Sequence, residues 1–375
     1  MKFKADRATL LKALAHVQSV VERRNTIPIL ANVMIAVRDS RLTLTATDME
    51  IAVVEDVTAE SSRNGACTAP AATLYEIVRK LPEGAEVELD HPGGDAQLAL
   101  RAGRFATSLV VLPTEDFPSM TAGTLPHKFG LGAATLRGLI DRTRFAISTE
   151  ETRYYLNGIY IHAADGANGK VLRAVATDGH RLARVEVEPV PPGAAGMPGV
   201  IVPRKTVNEL RKLLDEVSGE VDVALSDTRI QFKVGTIQLT SKLIDGTFPE
   251  YERVIPRDND KVLRVGSGDF AHAVGRVAAI SAERSRPVKL SLARDLLVIS
   301  AASAEQGSAT EELDADHVKY EAGPLEIGFQ ARYLNDITDQ IKGDVEFRFS
   351  DGAAPTIVQD AGDGSALYVL MPMRV

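Results

Sequence analysis

The stretch TLTATDMEIAVV (43–54) returns, with its frame intact, as AVATDGHRLARV (174–185). In both, an alternating strand pattern runs into Thr-Asp, turns through two residues and resumes as a second alternating stretch. The pairs Thr47-Asp48 and Thr177-Asp178 stand 130 residues apart. Internal repetition constrains a fold more than any single motif, because each copy must fold alike and meet its neighbours alike. It also weighs against reading Asp178, His180 and Arg181 as an acid, a base and an anion clamp. The echo carries Met49 and Glu50 where Gly179 and His180 stand, so the scaffold is present twice and that chemistry once.

The repeat is wider than these two stretches. MKFKADRATLLKAL (1–14), HKFGLGAATLRGLI (127–140) and LRVGSGDFAHAVGRV (263–277) each read as a short extended segment followed by a helix. Leu10, Leu14 and Val17, with Leu11 beside them, form one apolar face; Leu136, Leu139 and Ile140 form the second; Phe270, Val274 and Val277 the third. Strand patterns follow each helix, at 41–47, 171–177 and 296–302, the last ending in Ala302-Ser303 instead of Thr-Asp. Polar or Pro/Gly-rich connectors at 58–66, 188–199 and 320–324 then lead to second helices at 69–81, 202–214 and 329–341. Pro70 and Pro203 are expected in the first turn of their helices, where proline is tolerated. Closing strands are expected at 104–112, 235–244 and 366–373, and loops 114–126 and 245–260, each with Phe-Pro, join the copies.

The spacing therefore predicts an α+β chain of six units, each with one helix and about four strands, paired into three similar domains: 1–125, 126–254 and 255–375. Repeated strand-bearing units must deal with their sheet edges. Joining edges across units, domains and chains until the sheet closes is one solution, and it puts all the helices on one side.

Charge is consistent with a shared role for those helices. The chain carries −8, which by itself argues against a nucleic-acid partner. Yet the helical stretches 6–24, 71–81, 133–146, 203–217, 267–286 and 330–342 hold 18 Lys/Arg against 11 Asp/Glu, leaving the excess of acid elsewhere. Positive helices on one face of an acidic protein focus field onto a polyanion. Many of these cations, such as Arg79 and Lys80, lie late in their helices, where the macrodipole favours them in any case.

Catalytic and metal signatures are sparse. The seven histidines are scattered without ligand spacing, and neither a phosphate-binding glycine loop nor a nucleophile elbow occurs. The single cysteine, Cys67, excludes an internal disulfide and a multi-cysteine zinc site and suits a reducing cytoplasm. No membrane span or signal segment is visible, and no cofactor is expected. Asp-Gly after a strand is a hairpin signal, so Asp178 and Gly179 are expected to turn, with His180 and Arg181 opening the next strand. A hydrolase using His180 and Asp178 stays as an alternative, as does a repeat scaffold serving proteins only. In STEETRYYLNG (148–158), Arg153, Tyr154 and Tyr155 suit phosphate, sugar or base contacts, or one tyrosine is buried on the sheet. The apolar tail YVLMPMRV (368–375) either tucks into the core or lines a groove in which Met side chains adapt to ligands.

MKF at the start, TIPILANV (26–33), RYYLNG (153–158), VATDGHRLA (175–183), VIVPRK (200–205), TSKLIDGTFPEY (240–251) and MPMRV (371–375) together resemble the bacterial DNA polymerase III beta subunits, the beta sliding clamps. The resemblance runs the length of the chain. It implies the DNA clamp fold: three domains of two βαβββ-type halves, closed by a head-to-tail homodimer into a ring, helices lining a central hole and sheets outside. Such a ring encloses duplex DNA of any sequence and lends processivity without catalysis.

The resemblance also implies a hydrophobic pocket for a short linear motif. That motif is shared by the replicative polymerase catalytic subunit, clamp-loader subunits, other polymerases and repair proteins. On this chain the pocket maps to Leu156, Thr177, Gly179, His180, Arg181, Leu182, Pro249, Arg253, Val254, Val369, Met371, Pro372, Met373 and Arg374. Arg24, Tyr154 and Tyr155 are implied as DNA contacts; the helix cations Arg79, Arg137, Arg204 and Lys205 and the loop residue Arg153 complete that expected set. Glu150, where a neutral Gln is common in the family, is expected to repel phosphate, and Ala72 stands where a basic residue is often found. The dimer contact is expected to pair the strand around Thr107 and Leu109 with the third domain near Ile280.

Overall fold

A computed structural model describes residues 1–22, 26–94, 97–280 and 287–374. It divides into two compact units. One comprises Met1–Leu136, Pro191–Pro198 and Lys205–Leu243; the other comprises Arg137–Val190, Gly199–Arg204 and Ile244–Val375. The expected middle segment, 126–254, contributes to both.

The reason is strand pairing. In the first unit an eight-stranded sheet runs His127–Gly132, Glu220–Leu225, Arg229–Val234, Ile237–Lys242, Ile51–Thr58, Arg41–Thr47, Asn32–Arg38, Gly65–Pro70. Ile237–Lys242 thus joins strands from the expected second domain to strands from the first. In the second unit a nine-stranded sheet runs Val200–Pro203, Gly158–Gly166, Gly169–Thr177, Arg181–Val187, Asp363–Leu370, Thr356–Asp360, Asp344–Phe349, Lys261–Gly266, Val318–Tyr320. Here Asp363–Leu370 makes the equivalent join. Smaller sheets complete each unit. In the first it runs Glu60–Arg63, Lys2–Asp6, Glu86–Asp90, Leu98–Ala102, Phe105–Leu109; in the second, Gly307–Leu313, Leu296–Ser303, Pro287–Ala293, Leu325–Gln330. Each sheet is antiparallel, which lets short turns make most connections.

Six α-helices occur among the described residues: α1 Arg7–Gln18, α2 Ala71–Lys80, α3 Ala133–Arg144, α4 Arg204–Leu213, α5 Ser267–Ala278 and α6 Ala331–Thr338. Asp6 caps α1 by accepting the Thr9 N–H at 3.0 Å. Leu10, Ala13, Leu14 and Val17 are its buried stripe, packed with Leu74 and Val78 of α2. Each fully buried aliphatic side chain of this kind contributes roughly 1.5–3 kcal/mol. The helices are shorter than the periodic stretches that predicted them. The prolines also stand one step earlier than expected: Pro70 and Pro203 are the last residues of the strands Gly65–Pro70 and Val200–Pro203, and Pro70 is the N-cap residue of α2. Without an N–H, proline closes a strand as readily as it opens a helix.

Candidate partner-binding site

The two copies of the repeated turn match atom for atom. Thr177 Oγ1 donates to the Arg181 carbonyl at 2.7 Å and accepts the Gly179 N–H at 3.1 Å; Asp178 Oδ1 accepts the N–H groups of His180 and Arg181 at 2.9 and 3.0 Å. In the other copy Thr47 Oγ1 donates to the Ile51 carbonyl at 2.9 Å and accepts the Met49 N–H at 3.0 Å. Asp48 Oδ1 accepts from Glu50 and Ile51, each at 2.8 Å. The residue after the aspartate is left-handed in both, with φ of 88° at Gly179 and 75° at Met49. His180 therefore belongs to the turn and not, as expected, to the next strand, which begins at Arg181. The aspartate is the cause: its side chain captures both following N–H groups.

This geometry leaves no acid–base pair. Asp178 spends one oxygen on backbone N–H groups and the other on Arg181 Nε at 3.1 Å, and the exposed His180 ring stacks on Tyr333 of α6 at 6.2 Å.

Beneath the turn lies an apolar cluster. Leu156, Leu182 and Val369, all expected pocket residues, join Val175, Ile201, Phe248, Tyr251, Ile357 and Leu367, with Tyr155 packed against them. Ladder pairing assembles it: Leu182 stands opposite both Thr177 and Val369, and Val369 opposite Ile357. The 244–255 loop lays Phe248 and Tyr251 across this face. Tyr251 Oη accepts from Arg173 at 2.8 Å and meets His162 Nε2 at 3.0 Å. Burial holds the Tyr251 phenol above its ordinary pKa, against the opposing pull of Arg173, and burial holds His162 below its own.

Met371 closes one side of the turn. Its N–H donates to the His180 carbonyl at 2.9 Å and its side chain is 41% exposed. Pro372, Met373 and Arg374 line a cleft of about 510 Å³ with Lys289, Gly328 and Gly352, and Met373 N–H bonds the Gly328 carbonyl at 2.9 Å. Pro249 and Arg253 line another, of about 440 Å³, with Tyr160, His162 and Arg257; Val254 is exposed beside them. The expected pocket residues are thus distributed over one turn, one buried cluster and two clefts that share no lining residue. Arg181 is only 5% exposed, and its guanidinium contacts the Phe145 and Tyr333 rings at 5.1 and 4.4 Å, Asp178, Asp336 and the Phe145 carbonyl. The sequence reading missed Phe248, Tyr251, Ile357, Tyr333 and Asp336. Only the repeated Phe-Pro, with Phe248 in its second copy, gave a signal.

The twin turn carries charge where this one carries apolar surface. Lys242 occupies the place of Met371, donating its N–H to the Glu50 carbonyl at 2.9 Å, and its Nζ pairs with Glu50 at 2.9 Å.

The expected DNA contacts are dispersed. Arg24 lies outside the described residues. Arg79, at the exposed end of α2, pairs with Glu76 at 2.7 Å; Arg137 is half-buried on α3. Lys205 Nζ binds Glu22 at 2.9 Å and also the buried Asp48 carboxylate; burial works against its charge, but those two bonds outweigh it and raise its pKa. Arg153 makes two bonds to Glu150, so Glu150 is neutralised locally and its pKa is lowered. Tyr154 is 54% exposed while Tyr155 packs inward, edge to face at 5.8 Å. Arg204 opens α4, exposed, with no charge partner among the described residues. Thr107 and Leu109 lie on the last strand of the five-stranded sheet, and Ile280 just beyond α5. Among the described residues, no group of three or more His, Cys, Asp or Glu is placed to hold a metal, and no helix is long and apolar enough to cross a membrane.

Profiles of the N-terminal, central and C-terminal domains of the DNA polymerase III beta subunit match residues 1–121, 131–250 and 252–374. A beta sliding clamp of Caulobacter vibrioides is 52% identical over the full length of both chains. Among solved structures, a C. crescentus beta sliding clamp with PEG bound superposes with a TM-score of 0.97 at 52% identity, covering 100% of this chain and 99% of that one. A sliding clamp from Bartonella birtlesii bound to griselimycin superposes at 0.96 with 47% identity and full coverage of both. The three repeated domains are the DNA clamp fold, and the class is that of the sliding clamps, processivity factors that serve a DNA polymerase without catalysing a reaction. Within that class the chain belongs to the DNA polymerase III beta subunit family.

Proposed function

We propose that two copies of this chain, each of three domains (1–125, 126–254 and 255–375), close head to tail around duplex DNA in the cytoplasm. The ring tethers the replicative polymerase, clamp-loader subunits and other motif-bearing replication and repair proteins through the pocket at Thr177–Leu182 and Met371. The observation that carries the tethering half is the contrast between the twin turns. One backbone frame presents His180 and Met371 over an apolar cluster; the other presents a Glu50–Lys242 ion pair. Apolar anchors in a groove capture a short peptide, and a rim pair does not.

Closure is supported by the sheet joins. Ile237 pairs with Glu55, Leu239 with Val53 and Ser241 with Ile51; Ala366 pairs with Val185, Tyr368 with Ala183 and Leu370 with Arg181. The same sequence frame, Gly two residues before Ile237 and Ala366, precedes Phe105, and Phe105–Leu109 ends its sheet with a free flank among the described residues. Gly307–Leu313 is the matching open edge: Ser308 stands opposite Ala302 as Ala52 does opposite Thr47 and Leu182 opposite Thr177. A third join of the same kind puts Thr107 opposite Ala309 of the partner subunit.

DNA contact is weak on this reading. Exposed pairs such as Arg79–Glu76 are screened by solvent and exchange readily with phosphate. Lys205, held by the buried Asp48, contributes little, whereas Arg204 and Tyr154 are available. Light scattering is expected to give a dimer. After loading, the protein is expected to stay on circular duplex and run off linear duplex, with a shallow salt dependence. Equal escape from both overturns the ring. Griselimycin is expected to bind and to lose affinity in Met371→Ala; failure of the unaltered protein to bind it counts against the pocket.

A further inference from the structure

We propose that Arg153 is a positioning residue for the partner pocket, oriented by Glu150, and not a contact for DNA phosphate. The inference rests on the pocket reading above. Arg153 sits in the 3-10 turn Glu151–Leu156 with non-helical backbone angles, φ −109° and ψ 49°. From there its Nε and Nη2 reach the two Glu150 oxygens at 2.8 and 2.5 Å, and Nη2 also donates to the Asp178 carbonyl at 3.2 Å. A planar fork that meets both carboxylate oxygens is pre-organised in a way a lysine cannot copy.

The turn leaves room for such a support. Its closing backbone bond, Asp178 N–H to the Arg181 carbonyl, is long at 3.4 Å, and Gly179 and His180 are exposed. Arg153 also fills the space under Gly179, where a Cβ would lie 2.5 Å from Nη1. Glu150 is itself anchored to the pocket floor: its N–H bonds Ser148 Oγ at 3.1 Å, and the buried Ser148 donates its own N–H to the Leu156 carbonyl at 3.1 Å. One chain of contacts therefore runs from Leu156 through Ser148, Glu150 and Arg153 to the turn carrying His180. Two bonds to Glu150 and a third to the Asp178 carbonyl together tie the fork to the turn.

The test is griselimycin affinity beside DNA retention in Arg153→Ala, Arg153→Lys and Glu150→Gln, on dimers of unchanged size and melting temperature. Arg153→Ala is expected to weaken griselimycin about tenfold or more, the scale of a lost charged hydrogen bond. Arg153→Lys should fail to restore it despite the retained charge, Glu150→Gln should cause a smaller loss, and the salt slope of DNA retention should stay as it was. Gly179→Ala should lose affinity too, by a smaller factor when made in Arg153→Ala. The inference is overturned if Arg153→Ala binds griselimycin normally, if Arg153→Lys restores binding, or if the salt slope falls by about one with griselimycin unaffected. If the unaltered protein ignores griselimycin, the pocket reading itself has failed.

Discussion

Leu182 and Met371 both belong to the candidate pocket, yet their side chains have opposite jobs. Leu182 is 2% exposed inside the cluster, so Leu182→Ala is expected to cost about 2–5 kcal/mol of stability together with ligand affinity. Met371 is 41% exposed, so Met371→Ala should lose griselimycin binding with less than about 1 kcal/mol of destabilisation by urea melts. His16 gives a pH signature. It is buried, with Nδ1 2.8 Å from Glu55 and Nε2 3.2 Å from Glu216, which also pairs with Lys12 at 2.9 Å. Burial opposes its charge, but the two carboxylates prevail and hold the imidazole above its ordinary value. A raised native pKa means the folded chain binds the proton more tightly than the unfolded chain. The contribution is therefore full below about pH 6.5 and is lost as pH rises through the native value. Melting temperature should fall as pH rises above about 6.5, and His16→Gln should flatten that fall. None of this was legible in the sequence. Glu55 and Glu216 reach His16 from far along the chain, as Asp336 reaches Arg181 across 155 residues, and no local pattern marks such partners.

Elements were far more legible than contacts. Periodicity located each helix, the strand leading into each first helix, the Thr-Asp hairpins and the closing strands, because an amphipathic stripe and a two-residue alternation are written locally. Ends were harder: α5 stops at Ala278, short of the expected helical stretch 267–286, of which 281–286 lie outside the described residues. The repeated Thr-Asp was read correctly as a turn, but the Asx geometry that keeps His180 within it depends on side-chain capture and not on alternation. The pocket residues in the motif, Leu156, Thr177 and Leu182, were named from resemblance; Ile357 and Tyr333 were missed because neighbouring strands and α6 supply them. If charge is what closes the twin site, then Glu50→Ala with Lys242→Ala should shift stability by less than about 1 kcal/mol, as exposed pairs do, and let a second griselimycin molecule bind. An unchanged stoichiometry in that variant would mean that the twin turn lacks a groove whether or not it is charged.

At the scale of the whole molecule, the proposed third join makes a register prediction. Thr107→Cys with Ala309→Cys should oxidise to a covalent dimer, since paired antiparallel positions bring Cβ atoms within about 4.5–5.5 Å, close to disulfide reach. Cys67, the natural thiol, is buried and its pKa is pushed up to about 12 by that burial, so it should stay out of the reaction. A shift of one residue along either strand faces the cysteines away from each other and yields monomer on a denaturing gel.

The two open strands, Phe105–Leu109 and Gly307–Leu313, are unlike one another. If they join as proposed, a protomer spoiled at one of them would still offer the other intact and cap a healthy copy without completing a circuit. In a mixed population such a chain would do more than fail: it would sequester good subunits in dead-end pairs. A fault confined to a single strand would therefore be felt by cells that also make the sound protein.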